Sequence, residues 1–436
     1  MKALRIILVT LAILIAVPVI AMQAIGLYAS AVATKAQRAE QQAKQAELDR
    51  VANPIARQCL RLKQNRPSSF DIDEQTYRQF LDEWTDACAK AVAADPSDNR
   101  SKIALSNALF AADRRSEAIV PLRQAAATGD AGALVEIFEW HKSWERGDLA
   151  RVQIVKRDEA ANALKKAAEL GNAFAMHRLA VILDRGEMVK RDNAAAIYWA
   201  ERSLQKPDGE WGQADIATLL GRLLTQSDDP AQRARGIDML ERLTKGGRRD
   251  AGAYLAIAIR RDDPVRARSL LESAMWGEAG AALPTLADML IKGEGGDADP
   301  KRALGLLQSD ATAGGGAAIA FKLGELYRDG QLVQRDPQKA ADLMRNEVQW
   351  SVDATLELAR LVIDDPTATV SDDKDFLYTL NDHAELGEPN AMATLIALKL
   401  SASRRFADHA GGCTLAQRAS ASGDSAAKKL LENCKS

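Results

Sequence analysis

Two short stretches carry the residue types of an activated serine nucleophile. Ser371-Asp-Asp-Lys374 and Ser425-Ala-Ala-Lys428 both fit S-x-x-K, the pattern in which lysine and serine cooperate in β-lactam acylation. The pattern is short enough to arise by chance, and the K-T-G tripeptide that completes such a site does not occur. Metal chemistry has less material still. His141, His177, His383 and His409 show no HxxxH spacing, and the cysteines form no C-x-x-C pair. Gly293-Glu-Gly-Gly296 and Gly314-Gly-Gly316 lack the Lys-Ser/Thr that turns a glycine-rich loop into a phosphate cradle. No catalytic residue, metal ligand or cofactor is expected.

What remains is chemistry of contact. Cys59, Cys88, Cys413 and Cys434 allow three pairings. Proximity along the chain favours Cys59 with Cys88 and Cys413 with Cys434, each loop stabilising by about 2–4 kcal/mol. Four buried thiols are the alternative. Trp140 and Trp144 lie four residues apart, on one side of a helix, where they could meet a partner protein or stack on sugar rings. Ordinary packing between helices is the competing reading. Net charge is only −2, from 58 basic and 60 acidic residues, which excludes a nucleic-acid binder. The charge is unevenly spread, however. Arg233 to Arg268 holds ten basic and five acidic residues, among them Arg248, Arg249, Arg260 and Arg261. Val362 to Asn390 holds eight acids and one lysine. The basic segment is a candidate surface for an acidic partner or an anionic polysaccharide, unless it is simply a solvated face.

The elements that would carry these residues are helical. Aromatic residues make up 5% of the 436, too few for an all-β fold, and alanine is abundant throughout. Ile6 to Tyr28 is uncharged and follows Lys2 and Arg5, as a signal anchor with its amino end in the cytoplasm would. Ala31-Val32-Ala33 keeps a cleavable signal peptide open as the alternative. We therefore expect a transmembrane helix over 1–33, a helical stalk over 34–53, a helical cap over 54–94, and repeats over 95–436.

The repeats follow from spacing. Leu179, Gly186 and Asp192 recur at the same intervals as Leu323, Gly330 and Asp336. Ala168-Glu-Leu-Gly171 returns as Ala384-Glu-Leu-Gly387, 216 residues on, which is six times 36. Apolar anchors at Leu105, Ile137, Leu179, Leu220, Leu255, Leu286, Leu323, Leu358, Leu395 and Leu431 are 31 to 42 residues apart. Each unit reads as two helices. The first ends near glycine, and the second starts at Asp158, Asp192, Asp229, Asp263, Asp299, Asp336 or Asp373, four of them followed by proline. One such pair cannot hide its apolar side alone, so the pairs must stack into an α-solenoid.

Leu164 to Trp199 resembles a Sel1-like repeat at Ala167, Ala168, Gly171, Asn172, Ala175, Leu179, Gly186, Val189, Asp192 and Ala196. Phe321 to Met344 is similar, with Leu323-Gly324 and Tyr327. The unit at Leu105 looks more like a tetratricopeptide repeat. The resemblance implies an all-α solenoid of about ten helix pairs that binds other envelope proteins, with no shared catalytic residue. Together with the amino-terminal anchor this gives an expected inner-membrane protein with a periplasmic domain, and the resemblance further implies service in exopolysaccharide assembly or secretion. A periplasmic regulator of a membrane sensor and an enzyme of polymer turnover are the alternatives.

Overall fold

The computed structural model describes residues 41–434, except residues 47, 69–71, 146–154, 207–211, 275–281, 313–315, 346–347, 349–351, 366, 371–372, 389 and 402–405. The expected membrane segment, residues 1–33, lies outside the described residues. No described helix is long and apolar enough to cross a membrane. The described regular structure is all helical, with no strand among those residues. The chain divides into two compact units, residues 1–137 with 144–154, and residues 138–143 with 155–436.

The first unit contains α1 (Pro54–Gln64), α2 (Glu74–Ala94), α3 (Asn99–Ala111) and α4 (Arg115–Ala127). Short polar residues start these helices by taking up free amides: Asn53 accepts from Ile55 N, Asp73 from Thr76 N and Asp98 from Arg100 N. Cys59 and Cys88 are both fully buried and joined across α1 and α2, with S–S 2.08 Å and Cα–Cα 4.7 Å. Around them pack Leu81, Trp84, Ala91, Ala104 and Ala108. The expected anchor Leu105 is only half-buried, because Ala104 and Ala108 occupy the inward positions of α3. Such small residues let helices approach closely and leave little area to bury, so the disulfide matters most here.

Helix α5 (Ala131–Glu145) contains the division between the units. The second unit continues in pairs: α6 (Arg157–Glu169) and then α7 (Ala173–Arg185), α8 (Asn193–Leu204), α9 (Gln213–Thr225), α10 (Pro230–Lys245), α11 (Arg249–Ile259) and α12 (Pro264–Ala274). After these come α13 (Ala282–Lys292), α14 (Pro300–Thr312), α15 (Ala317–Asp329), α16 (Pro337–Met344), α17 (Val352–Asp364), α18 (Asp373–Glu385), α19 (Ala391–Leu400), α20 (His409–Ala421) and α21 (Ser425–Leu430). A 3-10 turn, Leu431–Cys434, ends the description. Each helix packs on the next, and first helices of successive pairs also touch: α9 on α11, α11 on α13, α13 on α15, and α17 on α19.

The anchors Leu179, Leu220, Leu255, Leu286, Leu323, Leu358 and Leu395 are all buried in these contacts. Leu431 is not; it sits half-buried in the 3-10 turn, and Ala427 fills the inward position of the last short helix. Asp192, Asp229 and Asp336 cap second helices as their spacing requires. Asp158 does not, because α6 begins two residues earlier than an Asp158 cap would set, and Lys156 holds the cap position. There Asp158 lies in the first turn instead, still favourable against the helix dipole. Gly186 and Gly330 end their helices at φ 68°, the left-handed region where a Cβ is costly.

Close approach within a pair is set by small residues. A Cβ on Gly236 would stand 2.7 Å from Gly221 O and 2.8 Å from Leu224 Cβ, so α10 crosses α9 backbone against backbone. A Cβ on Gly324 would meet Met344 Cγ at 2.8 Å and Ala340 O at 3.0 Å.

Candidate functional site

A set of charged residues in the second unit binds the neighbouring repeat. Arg235 meets Glu201 at 2.6 Å, Arg266 meets Glu241 at 2.9 Å, and Arg302 meets Glu272 at 2.8 Å. Each joins a second helix to the preceding second helix. On the other side Arg222 meets Asp184, Arg248 meets Asp215, Lys322 meets Asp288 and Arg328 meets Glu357, at 2.5 to 3.0 Å. The more exposed of these, such as Arg235–Glu201 and Arg302–Glu272, contribute about 0–1 kcal/mol apiece, while the largely buried Arg222–Asp184 contributes more. Their recurrence one repeat apart makes them register marks for the stack more than a source of stability. Burial opposes the charge of Lys322, but hydrogen bonds to Asp288 and Glu325 outweigh it and raise its pKa.

This changes the meaning of the basic segment. Arg235, Arg242, Arg248, Arg260, Arg266 and Arg268 are all in ion pairs, Arg260 with Glu294 at 2.5 Å. Four of the carboxylates, on Glu201, Asp215, Glu272 and Glu294, come from outside the segment. Arg248 and Arg260 are therefore held between repeats. Arg249 and Arg261 are exposed and form no ion pair among the described residues. Trp140 is buried, 9% exposed. Trp144 belongs to α5, but its side chain lies outside the described residues. Beside Trp140, His141 Nδ1 donates to Val155 O at 3.0 Å.

The candidate nucleophiles are not assembled into a site. Ser371 lies outside the described residues. Ser425 and Lys428 are exposed on α21, where Asp424 caps Ala426 N and Ala427 N. Ser97-Asp98-Asn99 has the S-D-N form that accompanies S-x-x-K in acylating sites, but its Asp98 accepts from Arg100 N and from the Ser101 hydroxyl. No group of three or more His, Cys, Asp or Glu able to hold a metal occurs among the described residues. Cys413 and Cys434 are bonded, S–S 2.08 Å, joining α20 to the final turn, and no cysteine is free.

A cleft of about 620 Å³ opens where distant repeats of the second unit meet. Its walls include Arg185 at the end of α7, Lys190 and Arg191 from the segment between α7 and α8, Arg222 from α9, Val352 from α17, and Glu388 from the turn before α19. Arg191 N donates to Glu388 Oε1 at 2.6 Å across 197 residues of sequence. Arg157 at the start of α6 pairs with Asp382 on α18, six helix pairs further along, and stands 3.7 Å from Glu385. The acidic run of the sequence thus faces basic residues a whole turn of repeats earlier. Sequence reasoning registered both the 216-residue recurrence and the acidic run, but nothing in either predicts contact.

Paired helices stacked through leucine anchors and repeat-to-repeat ion pairs define a helical-repeat protein. More specifically, residues 173–208, 286–314 and 318–345 match the Sel1 repeat family model, and the chain carries Sel1 repeats at these three positions. The matches coincide with α7–α8, most of α13–α14 and α15–α16. Among solved structures, a Sel1 repeat protein from Oxalobacter formigenes is 20% identical, covering 73% of this chain and 90% of that one, with TM-score 0.37. A protective antigen of uropathogenic Escherichia coli with an SLR fold is 18% identical over 80% and 74%, TM-score 0.38. Yeast Tom70 is 12% identical over 83% and 88%, TM-score 0.41. A search of curated proteins returns no match.

Proposed function

We propose that the chain is a non-enzymatic scaffold that binds other envelope proteins along its repeats. In this reading residues 1–33 anchor it in the inner membrane, the repeats lie in the periplasm, and it serves exopolysaccharide assembly or secretion. The observation that carries the binding reading is the repeat array itself, in which leucines and ion pairs hold neighbouring helices in register. Two disulfides with no free cysteine support an oxidising compartment. The exopolysaccharide setting rests on the Sel1 resemblance, with exposed Arg249 and Arg261 as the available cations for an acidic partner or polymer.

In-cell crosslinking followed by mass spectrometry tests the scaffold. The expected result is a small, reproducible set of envelope proteins linked to residues 155–434, with Arg249→Glu plus Arg261→Glu lowering capture about tenfold by removing two charge contacts. Recovery of no specific partner contradicts the scaffold reading. Arg248→Glu and Arg260→Glu are expected to act differently, disturbing repeat contacts first, so their effect should show in unfolding midpoints.

A further inference from the structure

The junction described above contains more than ion pairs. Glu388 is 3% exposed, and its Oε2 has no hydrogen-bond partner among the described residues; Arg191 Nε is 4.0 Å away. His383, one turn earlier in the chain, is 7% exposed, and both of its ring nitrogens are buried without a partner. Gly186 abuts the same carboxylate: a Cβ there would stand 2.9 Å from Glu388 Oε1. A stretch built only for stability would not leave three polar atoms of two residues five positions apart unsatisfied. Such orphan groups are tolerated where the closed state is meant to be conditional.

We propose that the α18–α19 turn and the α7–α8 loop form a latch that holds the two ends of this repeat turn together and that protonation of His383 releases it. The groups facing His383 are Asp353 at the start of α17, Arg191 before α8, and Glu388 in its own turn. On its own helix, Asp382 and Glu385 are engaged by Arg157 of α6. Burial is the largest influence on the imidazole and lowers its pKa; Arg191 adds to this, while Glu388 and Asp353 oppose it. The closed state therefore favours neutral imidazole. Stability from this group is present above the ordinary histidine pKa of about 6.5 and is lost as pH falls through the lower folded value. Burying an imidazolium is costly, so protonation favours an open arrangement that admits water to His383; that opening parts Glu388 Oε1 from Arg191 N and frees the 186–192 loop. The latch concerns the array proposed above to bind partners, and rests on that reading only for its use, which would be to admit or release a partner with pH.

Hydrogen exchange by mass spectrometry on the full chain tests it without any partner. Peptides covering 187–195 and 383–388 report the latch, and 216–224 in α9 reports the fold. After correction for intrinsic rates, local opening at 187–195 should increase by up to about tenfold per unit below pH 6.5, while 216–224 stays protected. His383→Gln should flatten that profile. If His383→Gln also loses protection in α9, His383→Leu supplies the non-titrating comparison. Glu388→Gln should raise exchange at 187–195 already at pH 7.5. Wild-type exchange that is flat with pH, or the same slope without a titrating group at 383, overturns the latch. Partner capture at pH 7.5 is read separately, so loss of either idea leaves the other standing.

Discussion

Gly236→Val should lower the stability of the second unit by about 3 kcal/mol, near the top of the range for overpacking a closely fitted contact. Two effects compete at this position. Glycine inside a helix costs about 1 kcal/mol relative to alanine, so a side chain there would help an isolated α10. Against this, even a Cβ stands 2.7 Å from Gly221 O and 2.8 Å from Thr225 N. Those are backbone atoms of α9, and they move only if the helices part. The clash wins, and Gly236→Ala should already destabilise. Gly305 supplies the contrast: it lies inside α14, and a Cβ there meets nothing within 4 Å. Gly305→Ala should stabilise by about 0.5–1 kcal/mol through helix propensity alone. Denaturant midpoints of the three variants check the signs. A stabilising Gly236→Ala would mean that α9 and α10 do not cross there.

Loss of the Cys59–Cys88 bond has the second large effect. Closing a loop of 29 residues stabilises by about 3–4 kcal/mol in the chain-entropy account. The core around it is rich in alanine and small, so that loss should unfold the first unit under conditions where the second stays folded. Access separates the two bonds. Cys59 and Cys88 are fully buried, whereas Cys413 and Cys434 are half-buried. Mild reductant in native buffer should open Cys413–Cys434 first, read by alkylation and peptide mass. Opening of Cys59–Cys88 should require prior unfolding of α1 and α2. Equal rates for the two bonds would contradict the placement.

The period of the helix pairs was legible because every complete pair must bury the same stripe. Leucine at a fixed phase is the cheapest way to do so, and seven anchors from Leu179 to Leu395 obey it. The rule failed at Leu105 and Leu431, where pairs near the ends of the repeats pack through alanine and small area suffices. Asp158 misled because a capping residue and a first-turn acid look alike in sequence; only backbone geometry separates them. Gly236 lies within α10, and its value is in what it lets approach, which no sequence pattern signalled. The basic segment looked like a partner surface because its carboxylate partners, such as Glu201 and Glu294, are far away in sequence. Contact between Arg157 and Asp382 depends on a small rotation accumulated over six pairs, which no local pattern encodes. The expectation that Ile6 to Tyr28 enters a membrane rests on the sequence alone.

The claim that repeats six pairs apart come into contact has a direct test. A double-mutant cycle on Arg157→Ala and Asp382→Ala measures their coupling, and the two residues are 225 apart in sequence. Both side chains are about four-fifths buried, so the coupling should reach about 1–3 kcal/mol, the range for charged hydrogen-bonded groups. A coupling within about 0.3 kcal/mol of zero, the scatter seen for distant sites, would mean that the array does not bring these helices together.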